Sequence, residues 1–141
     1  MISENLKRIA ADSNVILSAV IGKAALRIIV NPEIQIITTQ FNILEVEEYL
    51  PQLASKYRLN DTLLVWQLKM LPMGVFSEKD YEEYLSKAQK LLKDRDVDDA
   101  HLLALALKEK TPIWSNDKDF KPLTSVSPVY TTAQLLNLIP R

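Results

Sequence analysis

The sequence predicts an α/β fold, a three-layer sandwich of helices about a central, mostly parallel sheet, and three stretches predict it. Arg8-Ile9-Ala10-Ala11 is a short apolar run that stops at Asp12 and gives way to a helical pattern. Ile34-Gln35-Ile36-Ile37-Thr38 is rich in β-branched residues and is also followed by a helix. Residues 100–107 are apolar nearly all round a helix, which is therefore expected to be buried, and they lead into the strand-like run Pro112-Ile113-Trp114-Ser115. Strands that alternate with helices in this way build layered parallel sheets.

Taken in order, Ser13 and Asn14 are residue types that cap helices, ahead of Val15, Ile16, Leu17, Ala19, Val20 and Ile21, and Gly22 interrupts that run. Residues 23–30 resume as a helix closed by Asn31-Pro32. After the second strand, Ile43, Val46, Leu50, Leu53, Ala54 and Tyr57 form one helical stripe. Pro51 lies within it and predicts either a kink or a division into two helices. Asn60-Asp61-Thr62 caps a helix through Leu71 that Pro72-Met73-Gly74 ends, and Val75-Phe76 fits no one pattern. Ser77 with Asp80 resembles a capping box ahead of an amphipathic helix that reaches about Lys93. Residues 127–131 read as an edge strand, where Pro128 is tolerated, and residues 132–139 as a terminal helix. The order is βα-βα-α-α-βα-βα, in a single domain spanning residues 1–141.

Composition narrows the chemistry. A chain of 141 residues buries a core without disulfides or structural zinc. With no cysteine and one histidine, thiol catalysis, thiolate metal sites and imidazole-rich clusters are excluded, so any metal is held by oxygen, which favours magnesium, manganese or calcium. Gly22 and Gly74 are the only glycines, so there is no glycine-rich phosphate loop and no nucleophile elbow. The net charge of −1 lacks the basic surplus usual in nucleic-acid binders, but carboxylates committed to cations leave the remaining surface more basic than that total. No apolar run approaches membrane-spanning length and no signal-peptide core follows the first charges, so a cytoplasmic location is expected.

The acids carry the functional signal. Asp12 ends the first strand, and with Ser13 and Asn14 available as caps its placement points to function. Asp117 follows the strand at residues 113–115; in a parallel sheet both acids belong to the rim at the strands' carboxyl ends, where ligands of such sheets gather. Asp98 and Asp99 open the buried helix, and spacing leaves open whether that helix start reaches the same rim. Glu45 lies within two turns of the start of the helix after the second strand, and spacing does not choose among Glu45, Glu47 and Glu48. Asp94 and Asp96 read as caps and solvated surface. Carboxylates that converge raise one another's pKa unless a cation lies among them, so a cluster implies a divalent ion and metal-assisted phosphodiester hydrolysis. His101, alone on the buried helix, reads as structural, and Lys118 and Lys121 as guides for a phosphate backbone. A magnesium-dependent phosphatase or phospho-receiver is disfavoured: no acid stands two residues after Asp12, and the late motif carries acids where a receiver needs a lysine.

IAADSNVILSA near the start, then DVDDAHLLALAL and PIWSNDKDF late in the chain, together resemble the motifs of the PIN-domain nucleases, which include the VapC-like toxins of toxin–antitoxin pairs. The resemblance spans nearly the whole chain. It implies a parallel sheet in the order 3-2-1-4-5, Mg²⁺ or Mn²⁺ at the acids, cleavage of single-stranded RNA, homodimerisation, and an antitoxin partner where the protein is a toxin. Carried over residue by residue, it assigns Asp12, Glu45 (in NILEVEEYL), Asp99 and Asp117 as the catalytic metal ligands, with Asp119 as an auxiliary acid. Ser115 takes the hydroxyl position beside the site, Asn14 the polar position that orients the first acid, and Asp98 stands one residue from the third acid and leaves that register open. It also implies that the helix start at Asp99 reaches the site. The alternative is a catalytically inactive PIN-like dimer that serves as an interaction or RNA-binding module. The apolar helical surface between residues 41 and 71 would supply a dimer interface or simply belong to the core.

Overall fold

The computed structural model describes residues 4–93 and 99–139. Strands β1 (Arg8–Ala11), β2 (Gln35–Thr39), β3 (Met73–Phe76), β4 (Ile113–Trp114) and β5 (Val129–Tyr130) form one sheet in the order β3-β2-β1-β4-β5, and every pairing is parallel. This is the sheet order expected from the motifs. The helices among the described residues are α1 (Ser13–Val20), α2 (Ala25–Ile29), α3 (Gln40–Tyr57), α4 (Asp61–Met70), α5 (Glu78–Tyr81), α6 (Leu85–Leu92), α7 (Asp99–Glu109) and α8 (Thr132–Leu138).

Side chains alternate across a strand, and this divides the core in two. Ile9, Ala11, Ile36 and Trp114 face the helices α1, α2, α3, α4 and α8. Ala10, Ile37 and Ile113 face α5, α6 and α7. Helix α7 contributes six buried residues, Ala100 and Leu102 through Ala106, so its nearly all-apolar sequence reflects burial on most sides. No helix among the described residues is long and apolar enough to cross a membrane.

Four local expectations are corrected. Met73 and Gly74 do not end a helix but begin the edge strand β3, in register with Ile36 and Ile37 of β2. Its side chains are half-buried or exposed, so neither alternation nor a solid apolar run marks it. Helix α3 is not divided into two at Pro51 but continues through it as one helix; Pro51 and Glu47, whose carbonyl loses its partner, both lie at the surface, where water can replace the missing donor. The stretch expected as one helix to Lys93 is divided: Tyr81 leaves helical geometry (φ −134°, ψ 6°) while its ring is buried, and a 3₁₀ turn at Glu82–Tyr84 separates α5 from α6. Finally, α2 begins at Ala25, because Gly22 turns the chain at φ +81° and Lys23 stays in the turn.

Candidate metal centre

Asp12 directly follows β1, and its backbone N–H reaches the carbonyl of Trp114 in β4 (3.1 Å). Contrary to the expectation that Ser13 or Asn14 caps the next helix, Asp12 is itself the cap. Its backbone is extended (φ −80°, ψ 171°) and Oδ1 accepts the N–H of Val15 at 3.0 Å. The other oxygen, Oδ2, accepts the hydroxyl of Ser115. Asp12 is only 6% exposed, and burial pushes its carboxyl up to about 6. The hydrogen bonds from Ser115, Val15 and the Asn14 backbone pull the other way, while the charge of Asp117 adds to the rise.

Ser115 also orders what comes next. Its oxygen accepts the backbone N–H of Asp117 at 3.0 Å, and Oδ1 of Asp117 accepts that of Asp119 at 2.9 Å. Asp117 thereby caps the 3₁₀ turn Lys118–Leu123 and holds its carboxylate at the rim. Asp99 opens α7, which reaches β4 through a three-residue connection. A helix joined so closely to the next parallel strand must run antiparallel to it, so α7 starts at the rim where the strands end. The carboxylates of Asp99, Asp117 and Asp119 each offer one oxygen within 4.8 Å of the others. An all-oxygen donor set of this kind suits a hard divalent cation.

Glu45 approaches from the opposite wall. Thr39 ends β2 and caps α3, its oxygen accepting the N–H of Asn42 at 2.9 Å, so the helix begins before the stripe that starts at Ile43. One turn on from Asn42, Glu45 lines a cavity of about 520 Å³ together with Asn14, Asp99 and Asp117. Glu47 and Glu48 are exposed and do not line it.

A family model described as PIN domain matches residues 11–132. The chain belongs to the PIN-domain family. PIN domains are generally nucleases and use divalent metal ions. Solved structures share the fold, among them the three that follow. A toxin–antitoxin complex from Klebsiella pneumoniae matches with a TM-score of 0.63 at 19% identity, over 88% of this chain and 97% of that one. VapBC2 from Rickettsia felis, bound to a DNA fragment from its promoter, matches with a TM-score of 0.63 at 10% identity, over 88% and 98%. A protein from Pyrobaculum aerophilum matches with a TM-score of 0.65 at 14% identity, over 96% and 90%. No curated protein sequence matches the chain.

Within this PIN domain the remaining expected residues take distinct places. Asn14 is exposed on α1 and borders the cavity, while its neighbour Ser13 is buried and accepts the Asn42 side-chain amide at 2.9 Å. His101 is half-buried; Nδ1 meets the Tyr81 hydroxyl at 2.8 Å and the ring stacks on Phe41 at 4.1 Å. Phe41 belongs to α3 and His101 to α7, so this stack ties the two walls together. Lys118 and Lys121 are exposed beside the cluster. Asp98, Asp94 and Asp96 lie outside the described residues.

The expectations from sequence did not include Tyr49, Gln52 and Lys56, which line the cavity beyond Glu45. Their spacing from Glu45, at every third or fourth residue, is the signal that finds them once Glu45 is placed. A larger cavity of about 630 Å³ opens at the amino ends of the strands, by Arg8, Thr111 and Pro128. It contains none of the clustered acids, and four of its charged groups form two ion pairs, Arg8 with Glu109 at 2.9 Å and Lys7 with Glu4 at 2.7 Å.

Proposed function

We propose that the protein is a metal-dependent endoribonuclease that hydrolyses phosphodiester bonds of single-stranded RNA. The observation that carries the proposal is the approach of Asp99, Asp117 and Asp119 to within 4.8 Å of one another, on a cavity that Glu45 also lines. Asp12, Glu45, Asp99 and Asp117 would hold Mg²⁺ or Mn²⁺, with Asp119 as an accessory acid. A divalent ion supplies positive charge against the phosphate and acidifies water. The chain's own part is orientation. Ser115 holds Asp12 by one oxygen and the Asp117 backbone by another bond, so the first and fourth acids move as a unit. The Asn14 backbone helps keep Asp12 ionised, and Lys118 and Lys121 draw the polyanion toward the rim.

The test is cleavage of single-stranded RNA with Mg²⁺ or Mn²⁺ by the unmodified protein and by Asp99→Asn and Asp117→Asn. Each substitution is expected to lower the rate at least about 100-fold, on the scale of losing one electrostatic stabiliser of the transition state. Equal rates in the variants would sink the mechanism.

A toxin role with an antitoxin partner, in the cytoplasm, belongs to the same proposal and is supported by likeness of fold to toxin–antitoxin complexes. Growth arrest on expression, relieved by co-expressing a small neighbouring reading frame, is the expected result; unimpeded growth with a cleavage-competent protein would remove the toxin role. Homodimerisation is supported by α4, whose Leu63, Trp66 and Met70 are 63%, 61% and 76% exposed on adjacent turns.

That same face favours a second reading, a catalytically inactive module for dimeric interaction or RNA binding. Calorimetric titration with Mn²⁺ separates the two: heat of binding that disappears in Asp117→Asn favours the enzyme, and none at millimolar metal favours the module.

A further inference from the structure

We propose that the wall of α3 beyond Glu45, with the turn after α1, is a tract that binds single-stranded RNA on one side of the cleavage point, a proposal that rests on the endoribonuclease reading. Glu45, Tyr49, Gln52 and Lys56 follow one another by four, three and four residues and all line the same cavity as Asp99 and Asp117. They therefore form one face of α3 about 16 Å long, at 1.5 Å per residue. Asn14 and Leu17 of α1 make the facing wall. Tyr49, Gln52 and Lys56 are exposed, and the acids Glu47 and Glu48 do not line the cavity, although Glu48 borders this face of the helix.

At the far end, Lys56 adjoins a second lysine and an aromatic ring that do not themselves line the cavity. Lys23, in the turn after α1, donates to the Tyr57 hydroxyl at 3.0 Å and sits 5.0 Å from the centre of its ring. Lys56 lies 5.5 Å from that same ring. Both cations thus lie near one tyrosine ring, and hydrogen bonding to Lys23 lowers the Tyr57 hydroxyl from its ordinary value.

An acid cluster by itself repels a polyanion. Cations placed along a groove that leads to it give the strand a reason to enter, and aromatic faces in the same groove hold bases without regard to sequence. Lys23 and Lys56 take successive phosphates, Tyr49 stacks on a base nearer the acids, and the Gln52 amide bonds sugar or base edges. The tract admits a few unpaired nucleotides, so affinity rises with strand length on one side of the cleaved bond and then levels off.

The test uses the full chain carrying Asp12→Asn to block hydrolysis, with a fluorescein-labelled short single-stranded oligoribonucleotide, read by anisotropy across a salt series. Lys23→Ala and Lys56→Ala each weaken binding several-fold and make the salt dependence shallower by about 0.7 per lost phosphate contact. Lys56→Arg retains the slope. Tyr49→Ala weakens binding by roughly fivefold or more, and Tyr49→Phe does not. One abasic nucleotide, moved along the strand, weakens binding at a single position, and that penalty vanishes in Tyr49→Ala. In chains with Asp12 intact, Lys56→Ala raises KM while kcat stays level, and Lys90→Ala on α6 changes neither. Variants in the tract that bind and cleave like the unmodified protein overturn the tract and leave the endoribonuclease reading in place. Failure of the chain with all acids intact to cleave or bind the oligoribonucleotide in Mg²⁺ or Mn²⁺ overturns both.

Discussion

Ser115 donates its hydroxyl hydrogen to the carboxylate of Asp12, 103 positions earlier in the chain. The bond joins the carboxyl ends of β1 and β4, which are neighbours in the sheet. Because Ser115 also accepts from the Asp117 backbone, one hydroxyl sets the positions of two acids.

Ser115→Ala should therefore leave Asp12 ionising less readily and destabilise the protein by about 1.5–3 kcal/mol where Asp12 is charged, the usual worth of a hydrogen bond to a charged group. Below pH 5, with the carboxyl protonated, the loss should be smaller. Chemical denaturation at both pH values checks it, and an equal loss at the two would count against a role for the hydroxyl in stabilising the charge.

The raised pKa of Asp12 makes a sign prediction for the metal-free protein. Burial lifts the carboxyl from 3.8 to about 6 on folding, so between these values the native state binds more protons than the unfolded one and stability falls as pH rises. The loss is complete above about pH 6 and amounts to about 3 kcal/mol at 1.36 kcal/mol per unit. Asp12→Asn, with no charge to bury, should melt higher than the unmodified protein at pH 8 in EDTA, and the advantage should disappear near pH 4. A variant that melts lower than the unmodified chain at pH 8 would show that the buried charge carries no such cost.

Adding Mg²⁺ or Mn²⁺ should raise Tm, because an ion that binds only the folded cluster stabilises it by mass action, about 2.7 kcal/mol at a hundredfold excess over Kd. Asp99→Asn and Asp117→Asn should abolish most of that response without lowering the melting point in EDTA. Differential scanning calorimetry reads both quantities, and an unchanged metal response in the two variants would place the ion elsewhere.

Thr39→Val removes the cap of α3 and the hydroxyl that bonds Asn42, whose amide in turn reaches Ser13. A cost of about 1–2 kcal/mol is expected from the lost cap. The first turns of α3 carry Glu45 toward the cavity, so RNA cleavage should fall as well; full activity at a temperature where the variant is folded would separate the cap from the site.

Trp66→Glu together with Met70→Glu places charge on the exposed face of α4. If that face joins two copies, light scattering should report a dimer for the unmodified chain and a monomer for the double variant. A monomeric unmodified chain at high micromolar concentration would remove the interface.

The elements differ in how openly they show themselves in the sequence. β1 and β2 are largely buried on both sides, β1 showing as an apolar run and β2 as a β-branched one, and Asp12 is visible because it ends the first. β3 is four residues at the sheet edge and half-exposed, and Gly74 within it and Pro72 just before it mimic a helix stop. Pro51 suggests a division into two helices, which its exposure makes unnecessary. Tyr49, Gln52 and Lys56 escape notice because they are polar or exposed members of a helix whose buried stripe lies elsewhere.

By itself the sequence determined the α/β class, the placing of Asp12 and Asp117 at strand ends and, through its motifs, the sheet order. That the start of α7 reaches the rim was left open by spacing and came only with the resemblance; the three-residue connection to β4 is what fixes its direction. Tertiary structure alone decided that Glu45 rather than Glu47 or Glu48 borders the cavity, that Asp12 caps its own helix, and that Asp99, Asp117 and Asp119 come within reach of one another. The physical reason is that periodicity says which residues share a face of their own element. Which face meets a distant element depends on how helices pack across the sheet, and that is set by side chains far apart in the chain.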